Sequence, residues 1–171
     1  MTITNTYDDL GRIKSSTSVG AGTVTYNYTA RGITNVVDAL GKTNWFVFNE
    51  LERKTSETNA IGERIEYSYN EAGDLRTLKD GKDQLTSWGY DSEGRVTSKT
   101  NAASVEIFRY KYDANGQLTN RWTAAKGDTW YTVNAGGNIT LVNYTNSTDI
   151  QMGYDALNRL TNMVDAVGTS V

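Results

Sequence analysis

The stretch "YDSEGRV", Tyr90 to Val96, gathers two carboxylates, Asp91 and Glu93, and a cation, Arg95, around Gly94. By itself it reads either as a fragment of a catalytic site or as a tight turn between two strands. Working outward decides between them. Related stretches begin at Tyr7 ("YDDLGRI"), Tyr28 ("YTARGI"), Phe48 ("FNELERK"), Tyr69 ("YNEAGDL"), Tyr112 ("YDANGQL"), Val133 ("VNAGGNI") and Tyr154 ("YDALNRL"). Eight starts recur about every 21 residues, the signature of a repeat protein. A catalytic constellation is placed once, at one pocket; this pattern recurs in most units, so Asp91, Glu93 and Arg95 read as turn and ion-pair residues.

Each position in the unit has a job. Two residues before the anchor stands a second large side chain: Tyr26, Phe46, Tyr67, Trp88, Tyr110, Tyr131 or Met152. A spacing of two places both on one face of a β-strand. After the anchor comes Asp8, Asn49, Asn70, Asp91, Asp113, Asn134 or Asp155, with Thr29 as the exception; Asx side chains bond the amide two residues on and so start turns. Four after the anchor stands Gly11, Gly32, Gly73, Gly94, Gly116 or Gly137, with Glu52 and Asn158 as departures. A residue there closes the hairpin at positive φ, where glycine is favoured. An aliphatic residue then opens the next strand (Ile13, Ile33, Leu75, Val96, Leu118, Ile139, Leu160), with Lys54 in its place in the third unit.

The second half of each unit is less regular, with glycine-bearing loops such as "DALGK" and "NAIGE" joining one hairpin to the next. Two short strands per unit predict an all-β chain of roughly sixteen strands. The expected architecture is one continuous, twisted, spiralling antiparallel sheet of tandem hairpins, either an open arc or part of a hollow shell. Residues 1–171 form a single array of eight units, the last incomplete.

Composition narrows the function. The chain has no histidine, cysteine or proline among 171 residues, which excludes disulfides, thiolate and histidine metal sites and the Ser–His–Asp triad. No cofactor, metal or catalytic residue is expected. A formal net charge of -3 exerts no general pull on phosphate backbones, arguing against nucleic-acid partners. No apolar run reaches the length of a membrane span, and the start lacks the basic and apolar regions of a signal peptide.

The unit Tyr-Asp-x-x-Gly-Arg-aliphatic, preceded by Tyr-x-Tyr, resembles the YD repeat of Rhs proteins; "YKYDANGQL" (110–118), "YDSEGRV" (90–96) and "YDALNRL" (154–160) are close matches. The family includes bacterial Rhs and wall-associated proteins, the C component of insecticidal toxin complexes and animal teneurins. The resemblance implies a non-enzymatic, exported or surface-displayed container whose repeats enclose or display another polypeptide. Family shells are several times longer, and the proline-bearing core that cleaves the chain in some members has no counterpart here. The expectation is an excised fragment or a short member, partnered by further YD repeats, by an enclosed cargo or, through open sheet edges, by itself.

A second reading uses the aromatic residues. Trp45, Trp88, Trp122 and Trp130 could stack on sugars at a cell surface. They fall at different phases of the unit, however, and lack the steady Gly-Trp of choline- and glucan-binding repeats; packing between strands accounts for them without a ligand. Asp80 and Asp83 in "DGKDQ" have neither EF-hand nor nonapeptide calcium spacing. The sequons at Asn27, Asn138, Asn143 and Asn146 are ordinary in a chain rich in Asn and Thr.

Overall fold

The computed structural model describes residues 2–165 and 168–170. The chain divides into two compact units, Met1–Leu85 and Thr86–Val171. The first carries β1 (Ile3–Tyr7), β2 (Ile13–Ser18), β3 (Gly22–Thr29), β4 (Gly32–Val37), β5 (Thr43–Phe48), β6 (Lys54–Thr58), β7 (Arg64–Tyr69) and β8 (Leu75–Lys79). At the boundary begins β9 (Leu85–Tyr90). The second unit continues with β10 (Val96–Thr100), β11 (Glu106–Tyr112), β12 (Leu118–Thr123), β13 (Gly127–Val133), β14 (Ile139–Tyr144), β15 (Ile150–Tyr154), β16 (Leu160–Asp165) and β17 (Gly168–Ser170). No helix occurs among the described residues, and so none long and apolar enough to cross a membrane.

In each unit every strand pairs antiparallel with its successor, a plain meander from β1 to β8 and from β9 to β17. No pairing among the described residues closes β1 onto β8 or β9 onto β17. The fold class is therefore all-β and antiparallel, with the sheet open.

The sheet has no thick core. Among the described residues Val142 is the one buried apolar side chain, whereas Ser56, Asn120 and Thr129 are buried polar ones. Stability is spread instead over half-buried rows. Tyr26, Tyr28, Phe46, Phe48, Tyr67, Tyr69, Trp88, Tyr110 and Tyr112 are all half-buried, while the residues between them, Asn27, Val47, Ser68 and Lys111, are exposed. That alternation is the period of two that a pleated strand imposes.

The hairpin turn is built the same way in seven of the eight repeats, the exception being Thr29, which pairs directly with Gly32. At Asp8 the backbone amide donates to the Arg12 carbonyl at 2.9 Å, and the Gly11 amide donates back to the Asp8 carbonyl at 3.0 Å. Gly11 takes φ 74, and the two non-glycine residues at this position, Glu52 and Asn158, are held at φ 58 and φ 61. The second-half loops, less regular in sequence, repeat this turn in four units. Asp38, Asn59, Asp80 and Asn101 exchange the same pair of backbone bonds with residues three and four further on. Asp83, at φ 62, fills the glycine position there, and Asp80 accepts from the amides of Lys82 and Gln84 at 2.9 Å each. The "DGKDQ" loop is thus a turn, and no cluster suited to a metal ion occurs among the described residues. The loop expected at "DAVG" includes Ala166 and Val167, which lie outside the described residues.

Just after each anchor turn the register shifts by one residue. Tyr112 faces Leu118 while Lys111 faces Asn120, so Thr119 is an extra residue in its strand. Lys14, Thr34, Thr55, Arg76, Thr97, Thr140 and Thr161 occupy the same place. Such bulges bend a strand and increase its local twist. Threonine suits the site because its hydroxyl reaches across: Thr55, Thr119 and Thr140 donate to the carbonyls of Val47, Lys111 and Thr132 at 3.3, 3.1 and 3.2 Å.

Candidate functional site

The feature that recurs with specific geometry is a tie between consecutive repeats. It starts in the turn. Asp91 Oδ1 accepts from the amides of Glu93 and Arg95 at 3.1 and 2.9 Å, and its Oδ2 accepts from Arg95 Nε at 2.7 Å. Arg95, braced also by Glu93 at 2.9 Å, extends toward the next unit. There its guanidinium carbon lies 4.7 Å from the ring centre of Tyr112. The Tyr112 hydroxyl donates to the Val96 carbonyl at 2.9 Å. Arg95 Nη1 also approaches the Asp113 carbonyl at 3.5 Å.

The first unit builds the same set. Asp8 holds the amides of Leu10 and Arg12 at 3.0 and 2.9 Å and Arg12 Nε at 2.7 Å. Arg12 lies 4.3 Å over Tyr28 and donates to the Thr29 carbonyl at 3.2 Å, while the Tyr28 hydroxyl reaches the Ile13 carbonyl at 2.8 Å. In the third unit Arg53 lies 5.8 Å over Tyr69, whose hydroxyl donates to the Lys54 carbonyl at 2.6 Å. Here Asn49 holds the amides of Leu51 and Arg53. In the seventh unit Asn138 replaces arginine and bonds Asn158 at 2.8 Å, yet Tyr154 still donates to the Ile139 carbonyl at 2.9 Å. A planar, permanently charged guanidinium suits this place because it can stack on a ring while its edge serves a carboxylate.

Glycine at the turn has a second use here. A Cβ on Gly73 would stand 2.5 Å from an Arg53 guanidinium nitrogen, so the position admits the preceding unit's arginine as well as positive φ.

The electrostatics follow from these bonds. The Arg12 amide and guanidinium hold Asp8 below the usual carboxylate range, and Arg159 does the same for Asp155. At Asp91 loss of solvent pushes the carboxyl up, but the Arg95 hydrogen bonds outweigh it and the net shift is downward. Loss of solvent raises the Tyr112 phenol, and the Asp91 charge adds to that.

The third unit departs from the pattern at Lys54. This cation pairs with Glu57 at 2.5 Å and lies 4.9 Å from the Tyr67 ring centre, and the Tyr67 hydroxyl donates to Glu57 at 2.8 Å. The cluster borders a groove of about 570 Å³ lined by Asn44, Phe46, Glu57, Asn59, Ile65 and Asp80. The hydrogen bond between Lys54 and Glu57 drives both the wrong way for proton transfer, raising the amine and lowering the carboxyl. A general acid or base is most effective with a pKa near the working pH.

The four tryptophans are distributed over β5, β9, β12 and β13. Trp88 shares the strand face of Tyr90, with Lys99 5.5 Å from its ring. Trp122 and Trp130 lie on adjacent strands, covered by Arg109 at 5.0 Å and Lys111 at 5.6 Å. Trp45, on β5, is 53% exposed. Sugar stacking needs an open ring face, and cations occupy three of the four, so this reading is not favoured.

Of the anchor residues, Tyr28, Tyr69, Tyr112 and Tyr154 come into ties, with Asp8, Asp91 and Asp155 bracing an arginine and Gly11, Gly32, Gly73, Gly94, Gly116 and Gly137 closing turns. Phe48 has no hydroxyl to donate; Gly32 lies against its ring. Asp113 caps its turn through the amides of Asn115 and Gln117. Tyr7, on β1, is 57% exposed.

Tandem antiparallel hairpins, joined at four junctions by a tyrosine hydroxyl and at two of these by a full Tyr–Arg–Asp tie, define a repeat-built β-sheet protein. The teneurin YD-shell family model matches residues 84–169, 86 of the 171 residues, and the chain belongs to that family. It is a structural YD-shell module. Among solved structures, a Photorhabdus luminescens Tc holotoxin pore containing a TccC3 variant superposes with a TM-score of 0.68 at 14% identity, over 87% of this chain and 9% of that one. A TcdB2–TccC3 complex follows at a TM-score of 0.48 and 13% identity, over 96% of this chain and 12% of that one. The chain thus spans about a tenth of the length of these solved chains. No curated protein matches it in sequence.

Proposed function

We propose that the eight repeats act together as a non-enzymatic segment of wall, part of a sheet that encloses or displays an associated, toxin-like polypeptide outside the cell or at its surface. The tie carries this reading. Its residues join one repeat to the next at several junctions along the chain, which is what a wall requires and what a single catalytic pocket does not. The shift directions at Lys54 and Glu57 support a role without chemistry, and membership of a YD-shell family supports the container.

The test uses the native polypeptide that carries these repeats. Limited proteolysis should leave an associated polypeptide intact until the repeats are unfolded by denaturant, when it is digested. Digestion of everything outside the repeats under native conditions would remove the enclosure reading. On a glycan array the chain should retain no sugar; specific retention lost in Trp45→Ala or Trp122→Ala would favour the carbohydrate reading instead.

A further inference from the structure

Two cations on the aromatic face of the second unit lack an acid. Lys99 on β10 and Arg121 on β12 are both half-buried, yet the ion pairs of this unit among the described residues use Arg95, Arg109 and Arg159 instead. The Arg121 Nε is buried with no hydrogen-bond partner, and the Lys99 amine lies 5.5 Å from the Trp88 ring centre. Drawing a charge out of water without a counter-charge is costly, and lysine and arginine are seldom buried unless paired. Arg109 and Asp128 stand one residue from Tyr110 and Thr129 and so on the opposite face, where they engage Glu106 and Asn120.

Strand register sets the two cations around a pair of rings. Lys99 stands opposite Phe108 and Arg121 opposite Tyr110, and the two rings stack with centroids 6.2 Å apart. Lys99 and Arg121 are therefore two strands and two residues apart, about 10 Å across the sheet and about 7 Å along it. An extended polypeptide rises about 3.3 Å per residue, so carboxylates about four residues apart span both cations. Side chains between those carboxylates then cover the rings. Aromatic residues and arginine are the groups on which protein interfaces concentrate binding energy. The chain as a whole has a formal charge of -3 and repels a long polyanion such as a nucleic acid. The patch fits a short acidic segment with apolar residues interspersed.

We infer that the face of β10–β12 bearing Lys99, Phe108, Tyr110 and Arg121 docks an acidic, extended segment of the polypeptide that the wall accompanies. The Lys99 amine and the Arg121 guanidinium each donate to one carboxylate of that segment, and its apolar side chains pack on Phe108 and Tyr110. The inference deepens the wall reading and rests on it in one respect, that the occupant is a polypeptide.

Calorimetric titration of the 171-residue chain with a capped peptide alternating glutamate and leucine tests it. The peptide should bind, more weakly as salt is raised, and the same peptide with glutamine in place of glutamate should not. Lys99→Gln and Arg121→Gln should each weaken binding about tenfold or more, whereas Lys111→Gln, on the opposite face, should leave it unchanged. Lys99→Arg and Arg121→Lys keep the charge and should keep the binding. The glutamine comparison uses the wild-type chain and so holds even where a variant fails to fold. No binding of the acidic peptide, equal binding of the glutamine peptide, an equal loss in Lys111→Gln, or tighter binding of single-stranded DNA would overturn the inference. The proteolysis test of the wall reads separately. Enclosure without peptide binding would remove this inference alone, and peptide binding without enclosure would remove the wall and leave the docking surface.

Discussion

Arg95 belongs to one repeat and Tyr112 to the next, and the guanidinium of the first lies 4.7 Å from the ring centre of the second. The tyrosine returns the contact by donating its hydroxyl to the Val96 carbonyl, the residue after that arginine. The joint thus uses one ionic, one aromatic and one backbone group, and its parts are specified by adjacent repeats rather than by either alone.

Removing the hydroxyl alone isolates the last of these. Tyr112→Phe keeps the ring under Arg95 but frees the Val96 carbonyl, so it should lower unfolding free energy by about 1 kcal/mol. Tyr112→Ala should cost more, since stacking and packing go as well. Equal losses for the two in urea denaturation would show that the hydroxyl carries the whole joint.

The turn carboxylates predict the response to acid. Asp8, Asp91 and Asp155 titrate lower in the folded chain than a free aspartate does. Between the folded and unfolded values the unfolded chain binds more protons, so stability rises with pH across that interval. Their contribution is complete above about pH 4 and is lost as pH falls through the folded-state values. Asn49 and Asn134 cap the same turn without charge. Asp8→Asn, Asp91→Asn and Asp155→Asn combined should therefore keep the fold while flattening the acid limb of a melting-temperature profile. An acid limb as steep as in the wild type would refute this account.

Backbone sign is testable at two equivalent turn positions. Glu52 is held at φ 58 and Gly94 at φ 77. The left-handed region costs a side-chain-bearing residue about 1 kcal/mol or more. Glu52→Gly should accordingly raise the melting temperature and Gly94→Ala lower it. Opposite or matching signs would show that side-chain contacts, not backbone conformation, dominate.

Among the described residues the most buried side chain is polar. Asn120 is 1% exposed and donates to Asp128 at 3.0 Å and the Thr129 carbonyl at 3.4 Å. Asn120→Ala leaves these acceptors without that donor and should cost about 1–3 kcal/mol. A neutral result in thermal unfolding would mean that neighbouring groups or water replace the amide.

Much of the fold is legible in the chain because its signals are local. An aspartate bonding its own turn, a glycine at positive φ and a tyrosine two residues from another all act within a few residues. The second-half turns at Asp38, Asn59, Asp80 and Asn101 were also visible, as an Asx residue with Gly, Asp or Ser three places on. Uneven loop composition masked that regularity. Thr34, Thr97, Thr119, Thr140 and Thr161, each following the aliphatic residue, likewise signal the bulge, which only strand register reveals.

The amino-acid order by itself determined the repeat length, the hairpins, the turn chemistry and the alternation of faces, since each depends on steric and hydrogen-bonding preferences of near neighbours. Only the tertiary structure decided which side chains meet. Arg12 serves Tyr28, Arg95 serves Tyr112, and Lys54 leaves the aliphatic pattern to pair with Glu57 beside Tyr67. Those partners depend on strand register and on the bulge that re-aims the chain after each turn, and a shift of one residue would send every side chain to the opposite face.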